Sequence, residues 1–192
     1  MAIASPPRPP VFNVPNQLTG ARCVMGLALF ALISFELWLA CLIVFSVAAF
    51  TDWLDGYVAR KQGISSTLGR NLDPLVDKIL ICGAYTFLIP HEHANIRPWM
   101  VTVVVARELI ITGLRSFIEN MGASFGADWL GKLKMGLQCG ALAAIFVALQ
   151  APDNSILGWI RDILIYTMLA ITALSGLQYL WRSYALFRRS DL

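Results

Sequence analysis

The sequence predicts an all-α integral membrane protein with six transmembrane helices and both termini in the cytoplasm. Three observations carry that prediction. Of the 192 residues, 57% are apolar and 14% charged, whereas a soluble domain has about 25% charged residues; the mean hydropathy is +0.65. The apolar residues gather into six runs, near 18–35, 37–54, 75–90, 97–118, 133–150 and 156–181, each close to the ~20 residues that cross a bilayer as a helix. The basic residues, finally, segregate to one side of the alternation that six runs impose.

Residues 1–12 form a flexible N-terminal lead whose prolines and polar residues leave no apolar core for a cleavable signal. Residues 13–192 make one membrane domain, with Pro15 punctuating the approach to the first run. The N-terminal segment, the 55–74 link, the 115–134 link and the C-terminus fall on one side. That side and the adjoining span ends hold Arg8, Arg22, Arg60, Lys61, Arg70, Lys78, Arg107, Arg115, Lys132, Lys134, Arg182, Arg188 and Arg189. The other side holds only Arg97 and Arg161. Thirteen against two is a positive-inside pattern, and it assigns the first side to the cytoplasm. The short chain points to a bacterial inner membrane. Trp38, Trp99, Trp129, Trp159 and Trp181 fall near span ends, where aromatic belts form. Membrane lipid is an expected partner and nucleic acid is not.

Cys23, Cys41, Cys82 and Cys139 are scattered one per span without CxxC spacing, and read as small hydrophobes rather than as a metal or redox framework. His91 and His93 form an HxH pair in a short polar link, which reads as a solvated turn. Gly136 and Gly140 make a GxxxG pair that suits close packing of helices or of a dimer.

Against this apolar background the stretch TDWLDGYVARKQGISSTLGRNLDPLVDK gathers Asp52, Asp55, Asp73 and Asp77, a third of the twelve acids, into 26 positions. On a helix, Asp52, Asp55, Gly56, Ala59 and Arg60 share one face. Gly69, Asp73 and Asp77 share another, provided the third helix starts early enough. Pro74 sits either in the first turn of that helix or at a kink within a longer one. Four carboxylates at a membrane interface raise one another's pKa and need counter-charge. Arg60 and Lys78 offset part of it; divalent cations, which favour hard oxygen ligands, suit the rest. Two such ions would clamp the attacking and leaving oxygens of a phosphoryl displacement. Intramembrane acids also mark cation or proton pathways, so an acid-lined transporter stands beside the enzyme at this stage.

Written as a pattern, Asp52-x2-Asp55-Gly56-x2-Ala59-Arg60-x8-Gly69-x3-Asp73-x3-Asp77 resembles the signature of the CDP-alcohol phosphotransferase family, with all eight defining residues at matching spacing. The resemblance implies that an alcohol displaces CMP from a CDP-linked lipid and forms a phosphodiester. It implies Asp52, Asp55, Asp73 and Asp77 as ligands of two divalent cations, Mg²⁺ or Mn²⁺, with Asp77 also the general base. Asp55, Gly56, Arg60 and Ser66 would contact the CDP moiety. The NVPNQLTGAR segment resembles the family's entry to its first span, which implies Asn16 and Thr19 as candidate nucleotide contacts, while Arg22 beside them could equally anchor the interface. A homodimer is implied as well.

The acceptor is read from the next basic residues. ARELIITGLR puts Arg107 and Arg115 on the fourth run, and GKLKMGLQ brings Lys132 and Lys134 to the start of the fifth. Four cations near the acids suit a second anionic group. Both stretches resemble the branch of the family that takes sn-glycerol 3-phosphate as acceptor and CDP-diacylglycerol as donor, although Met135 stands where that branch carries threonine. Glu108 is expected to orient an arginine. An inositol phosphate acceptor is the nearest rival within the family.

Overall fold

The computed structural model describes the backbone of residues 14–62, 67–120 and 129–190, and the side chains of 20–51, 75–76, 78–118 and 129–185. Every regular element among them is helical. Six α-helices follow in order: α1 Val14–Ser34, α2 Trp38–Gln62, α3 Thr67–Leu88, α4 Pro98–Asn120, α5 Trp129–Gln150 and α6 Ser155–Ser190. A helix satisfies its own backbone polar groups, and each of the six apolar runs lies on one. Helices Trp129–Gln150 and Ser155–Ala185 are long and apolar enough to cross a membrane. The N-terminal lead lies outside the described residues.

The ends are set by local chemistry. At the end of α1, Leu37 N–H bonds the Leu32 carbonyl and Glu36 N–H that of Ile33, with Glu36 left-handed at φ 58. This is a Schellman closure in which glutamate takes the position glycine usually fills, and α2 follows at once. A short 3-10 turn, Glu92–Ala94, leads through left-handed Asn95 to α4. There Pro98 occupies the first helical position, where its missing N–H costs nothing. Asn154 caps α6, its Oδ1 accepting from the N–H groups of Ile156 and Leu157.

α5 packs against α2, α3 and α6; α1 packs against α2 and α3; α4 packs against α3 and α6. Leu29, Ile33, Cys41, Ala84, Leu88, Leu142, Ile145 and Phe146 fill the centre with no exposed surface. Phe45 meets Phe146 edge-on at 6.1 Å between α2 and α5. Tyr85 donates 2.8 Å to the Gln138 carbonyl between α3 and α5. At Gly83 of α3 the Phe30 ring lies where a Cβ would stand, so that glycine sets the approach of α1 to α3. Gly136 and Gly140, by contrast, have nothing within 4 Å of a built Cβ. The GxxxG pair therefore makes no close contact within the described chain.

The outer surface is as apolar as the core, and a few polar side chains are buried within. Val24, Leu27, Ile43, Val47, Ile110, Ile163 and Leu177 face outward, while Arg22, Glu108, Lys134, Gln138 and Ser175 are buried. An outer surface this apolar is a liability in water and a solvent-matched face in lipid. Arg22 is buried in the bundle rather than held at the surface as an interface anchor. Cys41 is buried and Cys23 exposed, and none of the four cysteines is joined in a disulfide. His91 Nδ1 lies 3.4 Å from Glu36 Oε1 and its ring stands edge-on to Trp38 at 4.9 Å; His93 is exposed. The pair is a turn, as expected.

Candidate active site

The helix register decides how much of the acidic pattern can work together. α2 continues past its apolar run to Gln62, so Asp52, Asp55, Gly56 and Arg60 stand on one uninterrupted helix. α3 begins at Thr67, well before its apolar run, so Gly69, Asp73 and Asp77 share one too. The early start meets the condition for a common face at i, i+4 and i+8. It also moves Pro74 to the eighth helical position, beyond the first turn, where its ring removes the N–H that would bond the Arg70 carbonyl. Chain order sets the last turns of α2 and the first turns of α3 around the same short link. The side chains of Asn16, Thr19, Asp52, Asp55, Gly56, Arg60, Asp73 and Asp77 lie outside the described residues, as does the whole of Ser66.

The basic positions can be followed atom by atom. Lys134 of α5 is buried, its side chain 5% exposed, and its Nζ donates to Glu108 Oε1 of α4. Glu108 is 8% exposed and also accepts from Arg107 Nη1 at 3.2 Å. Arg107 Nη2 donates to Ser175 Oγ of α6 at 3.3 Å. Ser175 Oγ is held in turn by donating 3.0 Å to the Thr172 carbonyl. Gly176 makes room for this arrangement, since a Cβ there would stand 3.2 Å from Arg107 Cγ. Arg107 Nε and Gln138 Nε2 are buried without a partner among the described residues. Gln138 follows Lys134 by one turn of α5, on the same face.

Arg107 and Lys134 are thus brought together through Glu108, which orients an arginine as the sequence suggests and a lysine besides. Arg115 and Lys132 are exposed. Eight residues at about 100° each carry Arg115 roughly 80° round α4 from Arg107, and two carry Lys132 to the far side of α5 from Lys134. One member of the cluster was not apparent from the sequence as such. Lys78 of α3 donates through Nζ to Thr112 Oγ1 of α4, and Glu108, Arg115 and Arg107 lie within its electrostatic range. The signal for it was present, since a cation inside an apolar run is expensive without a purpose. Among the described residues, no three His, Cys, Asp or Glu side chains come together as a metal site.

A pair of acid-bearing helices beside a buried, cation-rich cluster fits a site that handles phosphate at both ends of a reaction. Among known proteins, residues 12–181 match the CDP-alcohol phosphatidyltransferase family. The chain belongs to that family. Like its other members it is a transferase of phospholipid biosynthesis. It is 30% identical over 197 residues to a Bacillus subtilis (strain 168) protein, covering 94% of this chain and all of that one. It is 34% identical over 180 residues to a Sodalis glossinidius (strain morsitans) protein, covering 88% and 93%. A Shigella flexneri serotype 5b (strain 8401) protein is 35% identical over 179 residues, again 88% and 93%. All three carry the name CDP-diacylglycerol–glycerol-3-phosphate 3-phosphatidyltransferase.

Proposed function

We propose that this chain transfers the phosphatidyl group of CDP-diacylglycerol to sn-glycerol 3-phosphate, releasing CMP and forming phosphatidylglycerophosphate. The observation that carries the acceptor assignment is the buried Arg107–Glu108–Lys134 cluster, in which cations outnumber the acid. Buried charge of one sign calls for a counter-ion. An acceptor bearing a phosphate supplies one, and a neutral alcohol does not. The names of the relatives support the same acceptor.

The donor set fits the metals that the family pattern implies. Asp52, Asp55, Asp73 and Asp77 offer only hard carboxylate oxygens, on two helices whose register keeps each pair to one face. They would hold two divalent cations, Mg²⁺ or Mn²⁺, which when bound neutralise the charge that develops on the phosphoryl oxygens. The chain's own residues do the rest. Arg60, two turns beyond Asp52 on the same helical face, holds a donor phosphate, and Gly56 leaves room beside the nucleotide. Asn16, Thr19 and Ser66 complete the CDP contacts. Arg107 and Lys134 hold the acceptor phosphate, while exposed Arg115 and Lys132 draw it in.

Asp77 takes the proton of the acceptor hydroxyl. The freed oxygen bonds to the phosphorus that carries diacylglycerol, the pyrophosphate bond to CMP breaks, and CMP leaves with the bonding electrons. Such a transfer depends on positioning and charge neutralisation more than on covalent help. In this reading all six helices span a bacterial inner membrane, with the aspartates and basic cluster toward the cytoplasm. A homodimer is carried over from the family resemblance.

The test is CMP release by purified protein given CDP-diacylglycerol and glycerol 3-phosphate with and without chelator. Release should stop when divalent cations are removed and return when Mg²⁺ or Mn²⁺ is restored. Undiminished release in chelator would end the two-metal reading.

A further inference from the structure

The cluster between α3, α4 and α5 holds one more cation than the acceptor assignment uses. Lys78 is half-buried, and its Nζ meets neutral Thr112 Oγ1 one turn beyond Glu108. Thr112 Oγ1 donates 2.6 Å to the Glu108 carbonyl, which leaves its lone pairs to receive the ammonium. Glu108 is already engaged by Lys134 and Arg107. Among the described residues, Lys78, Arg107 and Lys134 therefore bring three positive charges to one carboxylate. An uncompensated pair of charges in a low-dielectric interior is costly. The excess of two matches a phosphate monoester, whose charge near neutrality is about −1.5 to −2.

We propose that Lys78 is a specificity-determining residue of the acceptor pocket. With Arg107 and Lys134 it selects a dianionic phosphomonoester over a monoanionic diester. Because it follows Asp77 on α3, it also ties the position of the bound phosphate to the helix that carries the base. The proposal rests on the acceptor reading above. Its competitor is a tether, in which Lys78 only links α3 to α4 through Thr112.

Four variants separate the two: Lys78→Met, Lys78→Arg, Thr112→Val and Lys134→Met. The readouts are the KM of each substrate, kcat, and the thermal stabilisation given by glycerol 3-phosphate alone without CDP-diacylglycerol. Lys78→Met should raise the acceptor KM about tenfold or more while leaving the CDP-diacylglycerol KM within roughly threefold. It should also lose most of the acceptor's thermal stabilisation and shrink the preference for glycerol 3-phosphate over its methyl phosphodiester. Lys78→Arg should recover most of the affinity, and Thr112→Val, which breaks the hydrogen bond and keeps the cation, should change the acceptor KM little.

An unchanged acceptor KM in Lys78→Met, with Lys134→Met raised, overturns the role of Lys78 and leaves the pocket standing. Thr112→Val reproducing the Lys78→Met defect, with both KM values moved alike, makes Lys78 a tether and overturns the proposal. An unchanged acceptor KM in Lys134→Met as well overturns the acceptor reading itself.

Discussion

Asp77 stands four residues after Asp73 and eight after Gly69 on α3, next to Lys78. Replacing its carboxylate by an amide keeps the size and one neutral oxygen but removes the ability to take a proton. If Asp77 is the base, Asp77→Asn lowers kcat by about 10²- to 10⁴-fold, a typical general-base contribution, while CDP-diacylglycerol still binds to the purified variant. Full turnover would remove Asp77 from that role. Residues of this kind are legible in a sequence because a helix brings i, i+3 and i+4 together without help from the rest of the fold. Lys134 and Glu108 are separated by 26 residues and Lys78 and Thr112 by 34. No period along the chain predicts those pairs. The sequence supplied the ions, and only the packing of α3, α4 and α5 supplied their partners.

At the scale of the helices, the apolar runs predicted the order and centre of each element, and the longer charged ends of α2, α3 and α6 share a physical cause. α2 runs on to Gln62 and α3 starts back at Thr67. A hydropathy count ends where charge begins, whereas helix hydrogen bonding continues through Asp, Arg and Lys. Pro74 is accommodated inside α3 for the same reason that it could not be placed beforehand, since the start of the helix decided the matter. Close approach was harder to foresee. The GxxxG pair on α5 meets nothing within 4 Å, while isolated Gly83 and Gly176 set real contacts. Gly176 carries a prediction that crosses elements, because it sits on α6 and, among the described residues, a Cβ there would meet only Arg107 Cγ within 4 Å. Gly176→Val should displace Arg107 from Ser175 and raise the acceptor KM by roughly three- to tenfold, with little effect on CDP-diacylglycerol. Equal effects on both substrates would show general disturbance of the bundle instead.

The whole molecule sorts its polar residues by place. Apolar side chains cover the outside, a few buried polar groups stand inside, and the four signature aspartates and most of the cations fall on one half of the alternation. At the other end a second polar network is local: Asp162 Oδ1 accepts from Asn95 Nδ2 at 2.9 Å and from Arg161 Nε at 2.8 Å, and Arg161 also reaches the His93 carbonyl. Those bonds hold the 3-10 turn to the start of α6. Arg161, one of the two basic residues on that side, is thereby given a structural task, which keeps the chemical cations together at the opposite end. A bundle arranged this way separates closure of the fold from chemistry.

The central claim is that this arrangement selects a phosphorylated acceptor for phosphatidyl transfer. Its most direct test offers purified protein CDP-diacylglycerol and Mg²⁺ with glycerol 3-phosphate, inositol phosphate, inositol, serine or phosphatidylglycerol separately, and reads CMP release and the lipid product. The account predicts release with glycerol 3-phosphate and phosphatidylglycerophosphate as the product. Release with a different acceptor, glycerol 3-phosphate being inert, would contradict the reading of Arg107 and Lys134. No release with any acceptor, in protein shown to be folded, would contradict the transfer itself and direct attention to cation flux.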